Sequence, residues 1–152
     1  MEVTLKNRDV DQGLVLVNEF VKRGLPVKLS FAIAKTIRRL KEVVEVIEEE
    51  RRKLVKEHQL TDVDGKRVLD ENDNIQFSDP VAFGDDFREL MRQENTVDVH
   101  QIDYDKLTKM KDKDGKFIHP SPEELEGLLL LQMIKEPEDK EEKEEEREEE
   151  EE

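Results

Sequence analysis

The stretch from Ser30 to His58, SFAIAKTIRRLKEVVEVIEEERRKLVKEH, decides the fold, because it predicts one long amphipathic helix. Its apolar residues recur at alternating steps of four and three, the spacing of an a/d seam about four heptads long. The seam positions are Ile33, Ile37, Leu40, Val44, Ile47, Arg51 and Leu54, with His58 in the last turn. Neighbouring apolar residues such as Phe31 and Val46 widen this face. The helix must therefore bury it against other elements or against a second copy.

The composition leaves little apolar material for a core. Of the 152 residues, 34% are hydrophobic and 44% are charged, and the net charge is −15. A thin core and an open seam suggest that the chain forms a homo-oligomer, with Arg51 as a polar seam position that sets the register. The acidic balance makes direct binding of nucleic acid unfavourable, because long-range repulsion opposes it.

The negative charge is concentrated at the carboxyl end. From Glu136 to Glu152 there are thirteen acidic and three basic residues, a net charge of −10. A segment of this composition cannot bury enough apolar surface to offset its chain entropy. The sequence therefore predicts a single domain over residues 1–135 and an acidic, disordered tail over residues 136–152.

The sequence lacks the features of several sites and locations. It has no cysteine, which excludes disulfides and zinc–thiolate sites and fits a reducing compartment. No apolar segment follows a basic start, so secretion is not expected. The apolar run LLLLQMI at residues 128–134 is too short to span a bilayer, so no membrane partner is expected.

The residues before the long helix predict a strand and a helix. Residues 2–6 (EVTLK) alternate as a short strand. Apolar spacing predicts a helix over residues 10–23, with Asp9 as its N-cap and Gly24 as the left-handed residue after its last turn. The connection to Ser30, the expected N-cap of the long helix, is short, so the two helices should form a hairpin.

Two Asp-x-Asp-Gly turns follow the long helix, at residues 62–65 and 112–115, and they invite comparison with calcium-binding loops. With Gly65 at the sixth loop position, Leu60 occupies the first position, where a carboxylate is required. The second turn fails in the same way, because Met110 stands at its first position. We therefore interpret both segments as plain turns and predict no metal site.

The remaining elements complete an α+β fold. Asp79 is expected to cap a helix, and Ser121 opens a final leucine-rich helix with a capping box. Residues 96–102 (TVDVHQI) alternate as a strand and are the best partner for residues 2–6. We predict a mostly helical α+β fold in which a long helical hairpin packs with two shorter helices and a small antiparallel sheet.

No catalytic constellation is visible in the sequence. The three histidines, His58, His100 and His119, lie on separate elements and could meet only by tertiary convergence. No nucleophile-elbow, phosphate-loop or zinc-protease motif occurs. We therefore expect a non-enzymatic protein with no catalytic residues and no cofactor.

A cluster of cationic residues at the base of the predicted hairpin is a candidate ligand site. Its members are Lys22, Arg23, Lys28, Lys35, Arg38 and Arg39. These side chains could bind an anionic nucleotide or a phosphate. They could instead balance the acidic segments as a solvated charged face, which is the usual role of a charge run and the interpretation we favour.

The order of segments resembles a known family. The run Glu48 to His58 (EEERRKLVKEH) is followed by the turn Asp64-Gly65-Lys66, a short helix and the strand segment Val97 to Ile102 (VDVHQI). A leucine-rich helix with a Ser-Pro cap closes the series. This order resembles small proteins of unknown function encoded by tailed bacteriophages and prophages. The resemblance implies a viral accessory or virion-associated role, in the host cytoplasm or the virion, and it transfers no catalytic residue.

Two classes of function follow from these observations. The first is a non-enzymatic phage-encoded interaction protein with a phage or host protein as partner, either a virion or assembly component or an inhibitor of a host factor. The alternative is a sponge that holds an anionic nucleotide at the basic base of the hairpin. An enzyme is the least supported class, because no motif indicates one.

Overall fold

A computed structural model describes residues 1–136 of the chain. The elements in chain order are β1 (Glu2–Lys6), α1 (Asn7–Leu16), α2 (Asn18–Val21), α3 (Val27–His58), α4 (Pro80–Arg92), β2 (Glu94–Asp98), β3 (Ile102–Asp103), α5 (Tyr104–Lys109), α6 (Pro122–Leu130) and β4 (Ile134–Lys135). The fold is the predicted α+β class, mostly helical with a small antiparallel sheet. The acidic tail predicted from Glu136 onward lies outside the described residues, apart from Glu136 itself.

The long helix α3 contributes Leu29, Ile33 and Leu40 to the core, and it begins one turn earlier than predicted. Its first residue is Val27, and Pro26 occupies the N-cap position without a side-chain hydrogen bond. Ser30, the expected cap, is an exposed residue within the first turn. Proline fits this place because the first helical positions need no backbone N–H donor.

The seam predicted for a homo-oligomer packs within the single chain. Ile33, Leu40 and Ile47 are 2%, 0% and 3% exposed, and α1, α2, β2 and α4 pack against α3. The other seam positions are half-buried (Ile37, Val44, Leu54) or exposed (Arg51). Arg51 lies 3.4 Å from the Glu48 carboxylate, on the solvent side. The heptad spacing identified a buried face but not the elements that cover it. The homo-oligomer stays a prediction, and the argument from an open seam no longer supports it.

Tertiary hydrogen bonds start α1, and Asp9 does not cap it. The helix begins at Asn7, directly after β1, and no side chain caps it. The Asn7 side-chain amide donates to the Leu90 carbonyl at 2.7 Å, and its backbone N–H donates to the Gln93 carbonyl at 2.9 Å. Asp9 lies in the first turn, where a negative charge favours the helix N-terminus.

The helix predicted over residues 10–23 is interrupted and ends early. The break lies at Val17, and the short α2 ends at Val21. Gly24 is not in the left-handed conformation expected of it. Its carbonyl accepts a hydrogen bond from the backbone N–H of Lys113 at 3.0 Å, which ties this corner to a distant loop.

The sheet joins the amino terminus to the later half of the chain as predicted. β1 pairs antiparallel with β2, and Val3 stands opposite Val97. The segment predicted as one strand over residues 96–102 divides, however, because β3 leaves β2 and pairs in parallel with β4. The helix α6 ends at Leu130. Gln132 then has a φ of 52°, which turns the chain into β4. Strands of two residues carry no periodic signal, so the sequence did not predict this second pair.

Both N-caps predicted for the later helices are present. The Asp79 carboxylate accepts from the backbone N–H of Ala82 at 3.1 Å. Ser121 and Glu124 form a reciprocal capping box, each side chain accepting from the other's backbone N–H at 3.2 Å. These local signals were readable because a cap depends on only four consecutive residues.

The two predicted turns and a third turn after Asp70 share one geometry. The carboxylates of Asp62, Asp70 and Asp112 each accept hydrogen bonds from the backbone N–H groups two and four residues later. The third residue after each has a positive φ: 77° at Gly65, 61° at Asp73 and 74° at Gly115. Each aspartate therefore closes its own turn.

Aromatic side chains join α4 to the second half of α3. The Phe77 ring stacks on Phe83 with a centroid distance of 3.9 Å, and Phe87 lies 6.1 Å beyond Phe83. His58 meets the Phe83 ring edge-on, and its Nε2 lies 2.7 Å from the Asp86 carboxylate. No residue of α4 is fully buried, so this part of the fold is thinner than the core around α1 and α6.

Candidate functional site

The structure distributes the six cations of the predicted anion site over separate surfaces. Arg23 donates through Nε to Glu124 Oε2 at 3.0 Å and through Nη2 to Glu124 Oε1. Lys22 lies 3.6 Å from the Glu19 carboxylate. Both cations therefore balance acids of the same chain, as the solvated-face interpretation expects.

Of the other four cations, only Lys35 and Arg39 line one cavity. Arg38 lines a different groove, of about 610 Å³, beside α2, and Lys28 is exposed. Helical geometry explains the separation, because consecutive residues point about 100° apart around the axis. The prediction that all six residues form a single anion site is therefore wrong. Lys35 and Arg39 remain as a candidate pair.

Lys35 and Arg39 belong to a cleft between one face of α3 and the chain of β2. We call this surface the α3–β2 cleft. On α3 it is lined by side chains at steps of three and four: Phe31, Lys35, Arg39, Val43 and Val46. The opposite wall includes Thr96, Asp98 and His100. The cleft consists of two adjoining cavities, of about 260 Å³ and 390 Å³, that share Arg39 and Asp98.

Within the described residues 1–136, one edge of β2 has no strand partner, since β1 and β2 form a two-stranded sheet. Just beyond the ladder, the backbone N–H of Val99 donates to the Met1 carbonyl at 2.9 Å. Hydrogen-bonded and non-hydrogen-bonded pairs alternate along an antiparallel ladder, so the odd-numbered residues of β2 bond to β1. The even-numbered residues, Thr96 and Asp98 among them, direct their backbone N–H and C=O groups away from β1.

Side chains of α3 bond to the backbone along this edge at one end only, near Asp98 and His100. Arg39 Nη1 donates to the Asp98 carbonyl at 3.2 Å, and the buried Thr36 hydroxyl accepts from the His100 N–H at 2.9 Å. Apart from the β1–β2 ladder, neither the N–H nor the C=O of Thr96 has a hydrogen-bond partner within residues 1–136. Among the residues that the structure describes, the edge of β2 is therefore open at Thr96.

The end of the cleft near Asp98 is basic. Lys35 Nζ lies 4.8 Å from the centre of the Phe31 ring, and Arg39 stands one turn further along α3. The hydrogen bond and the charge of the Met1 amino group, together with the charge of Arg39, hold the pKa of the Asp98 carboxyl below its ordinary value. Asp98 is thus a balanced anion, and the cations exceed it in number.

The cleft also presents exposed apolar side chains. Phe31 is 63% exposed and Val46 is 58% exposed, although the helical pattern placed both on the buried face. Val43, also on the cleft, is half-buried. Apolar side chains grouped beside a groove are typical of surfaces that bind a partner. Sequence reasoning therefore found Lys35 and Arg39 but assigned their apolar neighbours to the core.

The sequence showed no signal for the open strand edge. The alternation in TVDVHQI predicts a strand but does not say which neighbours it has. Which edge of β2 lacks a partner among residues 1–136 is a tertiary property. Thr36, buried and bonded to His100, was likewise not singled out.

Other kinds of site have less support. Within residues 1–136, no group of three His, Asp or Glu side chains is placed to hold a metal ion. His58 bonds to Asp86, His100 borders the cleft, and His119 is exposed. In the same range, no helix combines the length and the apolar composition needed to cross a membrane.

Comparisons with protein-family models, with curated proteins and with solved structures found no match to the chain. The resemblance to phage-encoded proteins therefore stays a prediction. The basis for a functional proposal is the geometry of the α3–β2 cleft.

Proposed function

We propose that the chain is a non-enzymatic interaction protein that binds another protein through the α3–β2 cleft. The observation that carries the proposal is the combination of exposed apolar side chains with an open strand edge in one groove. Protein-binding grooves use both features, since apolar pockets select side chains and strand edges bind main chain. The partner that we expect is a phage or host protein, and the role is that of a virion or assembly component or of a host-factor inhibitor.

The residue types in the cleft support binding of a protein. Aromatic residues and arginine are enriched among the side chains that dominate binding energies, and the cleft presents Phe31 and Arg39. Phe31 is held out of the core at 63% exposure, so its apolar surface is available to a partner. Burial of an aromatic side chain contributes roughly 1.5–3 kcal/mol.

The carboxylate at the basic end of the cleft is engaged by neighbouring cations. The Asp98 carboxylate interacts with the Met1 amino group at 2.7 Å and with Arg39 at 3.7 Å. The hydrogen bond and charge of the Met1 amino group and the charge of Arg39 lower the pKa of this carboxyl, because they stabilise its anion. These contacts are those of a structural ion pair at the rim of a groove.

Affinity capture tests the proposal with one cleft variant and one matched control. The tagged chain is expressed in the cells in which it is naturally made, and bound proteins are identified by mass spectrometry. Val46→Glu places a charge on the apolar end of the cleft, whereas Val15→Glu makes the same change on α1, where Val15 is 74% exposed. We expect wild type and Val15→Glu to bind the same partner and Val46→Glu to lose it.

The captured partner is then purified, and its Kd is measured with each variant. A loss of one apolar contact and the burial of a charge should weaken binding by at least about tenfold, which corresponds to roughly 1.4 kcal/mol. Equal affinities for Val46→Glu and wild type, with both proteins folded by circular dichroism, would contradict a role for the cleft.

A nucleotide sponge is the second candidate, and one observation favours it. The exposed Phe31 ring lies beside Lys35 and Arg39, so a base could stack on the ring while a phosphate meets the cations. A thermal-shift screen of nucleotides, cyclic nucleotides and phosphate tests this function, because a ligand at one hundred times its Kd adds about 2.7 kcal/mol of stability. A shift that is lost in Lys35→Gln/Arg39→Gln and kept in Arg38→Gln would establish the sponge.

A further inference from the structure

The cleft specifies the conformation of what it binds. Resting on the proposed function, we infer that the bound segment of the partner is an extended peptide. It adds a strand to the free edge of β2 and places a carboxylate beside Lys35 and Arg39. Three separate features of the cleft favour such a peptide: its main-chain groups, its apolar wall and its basic end.

The main-chain groups come from Thr96. In a strand, the N–H and the C=O of one residue point to the same side, so the two groups of Thr96 together form a docking position for a second strand. They have no other partner within the described residues. A buried backbone group without a partner is costly, so any segment that fills the adjoining cavity of about 390 Å³ has to satisfy them. An extended peptide does so with its own backbone.

The apolar wall selects the side chains of the added strand. Successive side chains of a strand point to opposite faces. Those on the face toward α3 meet Val43 and Val46, which line the same cavity as Thr96. A peptide with apolar residues at alternate positions therefore fits, and one with charged residues at those positions does not.

The basic end selects the charge of the peptide. Strand pairing along the β2 edge stops at Asp98, because the Asp98 carbonyl already accepts a hydrogen bond from Arg39 of α3. There Lys35 and Arg39 lie beside Asp98, which also contacts the Met1 amino group, whereas a second carboxylate of the cleft, Glu42, borders the cavity of Val43 and Val46. A carboxylate on the peptide is stabilised at this end by charge-assisted hydrogen bonds. It is either the terminal carboxylate of a peptide that runs parallel to β2 or an acidic side chain.

The probe is a synthetic pentapeptide, acetyl-Thr-Val-Thr-Val-Glu with a free carboxyl terminus, titrated into the full-length ¹⁵N-labelled chain. We expect the amide signal of Thr96 to shift and its hydrogen exchange to slow as the peptide binds, because that N–H acquires an acceptor. The methyl signals of Val43 and Val46 should shift at the same peptide concentrations. No binding up to about 1 mM peptide overturns the inference.

Modified probes separate the contributions. A peptide N-methylated at its central residue lacks one donor, and we expect it to bind about tenfold more weakly. Replacing Glu by Gln and replacing the terminal carboxylate by an amide, one at a time, shows which group the basic end binds. If neither change weakens binding by more than about twofold, the carboxylate part of the inference is refuted.

A protein variant gives the matching test from the other side. Thr96→Pro removes the N–H that faces the cleft and leaves the bonds to β1, and proline is accepted on edge strands for this reason. Thr96→Val keeps the N–H and serves as the control. We expect Thr96→Pro to bind the probe at least about tenfold more weakly than Thr96→Val. If Thr96→Pro fails to fold, the N-methylated peptide decides the same question.

Two further outcomes overturn the inference in distinguishable ways. If the Thr96 amide is already protected from exchange in the free full-length protein, another segment of the chain or a second copy occupies the edge. If the probe binds and shifts Val43 and Val46 but leaves Thr96 unchanged, the cleft binds without strand pairing. That second result leaves the proposed function intact, whereas a partner that is unaffected by Val46→Glu refutes the function itself.

Discussion

The substitution Gly127→Ala should destabilise the protein, although alanine is the better helix former. Gly127 lies within α6 where this helix crosses α1. A Cβ at Gly127 would stand 2.7 Å from Leu16 Cβ, 2.7 Å from Val17 Cγ1 and 3.1 Å from the Gly13 carbonyl oxygen. Two of these three atoms are placed by the backbone of α1 and cannot rotate away. The helices must therefore separate to admit one methyl group.

Two opposing terms set the magnitude. Replacing glycine by alanine inside a helix stabilises the folded state by roughly 0.5–1 kcal/mol, through the entropy of the unfolded chain. Overpacking a buried contact costs roughly 1–3 kcal/mol, and more where backbone has to move. Because the clash at Gly127 is with backbone-fixed atoms, we expect a net destabilisation of about 2 kcal/mol. This corresponds to a Tm lower by roughly 4–8 °C for a chain of this length.

Urea unfolding followed by circular dichroism measures this difference, with Gly84→Ala as the matched control. Gly84 is also inside a helix, but a Cβ there would meet only the Arg88 guanidinium, at 3.6 Å or more. The same substitution should therefore raise the free energy of unfolding by about 0.5–1 kcal/mol at Gly84. A Gly127→Ala variant as stable as wild type would refute the close crossing of α1 and α6.

Two further predictions concern buried polar groups. Burial opposes ionisation of Glu124, but hydrogen bonds from Arg23 and Ser121 and the charge of Arg23 outweigh it and hold its pKa below the ordinary 4.5. A carboxylate with a lowered pKa stabilises the fold above its unfolded pKa and loses that contribution as the pH falls through the folded one. Glu124→Gln should thus lower the free energy of unfolding by about 1–2 kcal/mol at pH 7 and by progressively less below pH 4.5. Urea titrations at several pH values measure this difference, and a difference that does not depend on pH would contradict the prediction. Thr36→Val leaves the N–H of His100 without its acceptor and should lower the free energy of unfolding by about 1–3 kcal/mol. Thr36→Ser keeps the hydroxyl and should lower it by less. Equal losses of stability in thermal unfolding would rule out the hydrogen bond as the cause.

Local signals predicted the parts of the fold that depend on a few consecutive residues. The Ser121 capping box, the Asp79 cap and the turn that ends at Gly65 were readable from neighbouring residue types. Each of them forms within one turn of chain, so distant residues have little influence. The signals at Asp9 and Gly24 were equally clear, but the predicted N-cap and the predicted left-handed residue were wrong. Contacts from α4 and from the loop at Lys113 decided those helix boundaries instead.

The candidate site was only partly predictable for a related reason. Lys35 and Arg39 stood out by charge, but the sequence grouped them with Arg23, which Glu124 engages from a helix far along the chain. Phe31 matched the apolar pattern of a buried face and is nevertheless exposed. Hydrophobic periodicity says which side of a helix is apolar, not how far the neighbouring elements extend over it.

The sequence by itself determined the class of fold, the long helix and its apolar face, because helix period, caps and turns are encoded in residues close in the chain. It also determined that the first and the later strand have matching alternation, from which their pairing follows. Only the tertiary structure decided what covers α3, where the chain of β2 ends and which edge of that strand stays open. These depend on packing between elements far apart in sequence, such as the glycine crossing of α1 and α6, and no local pattern records which elements meet there.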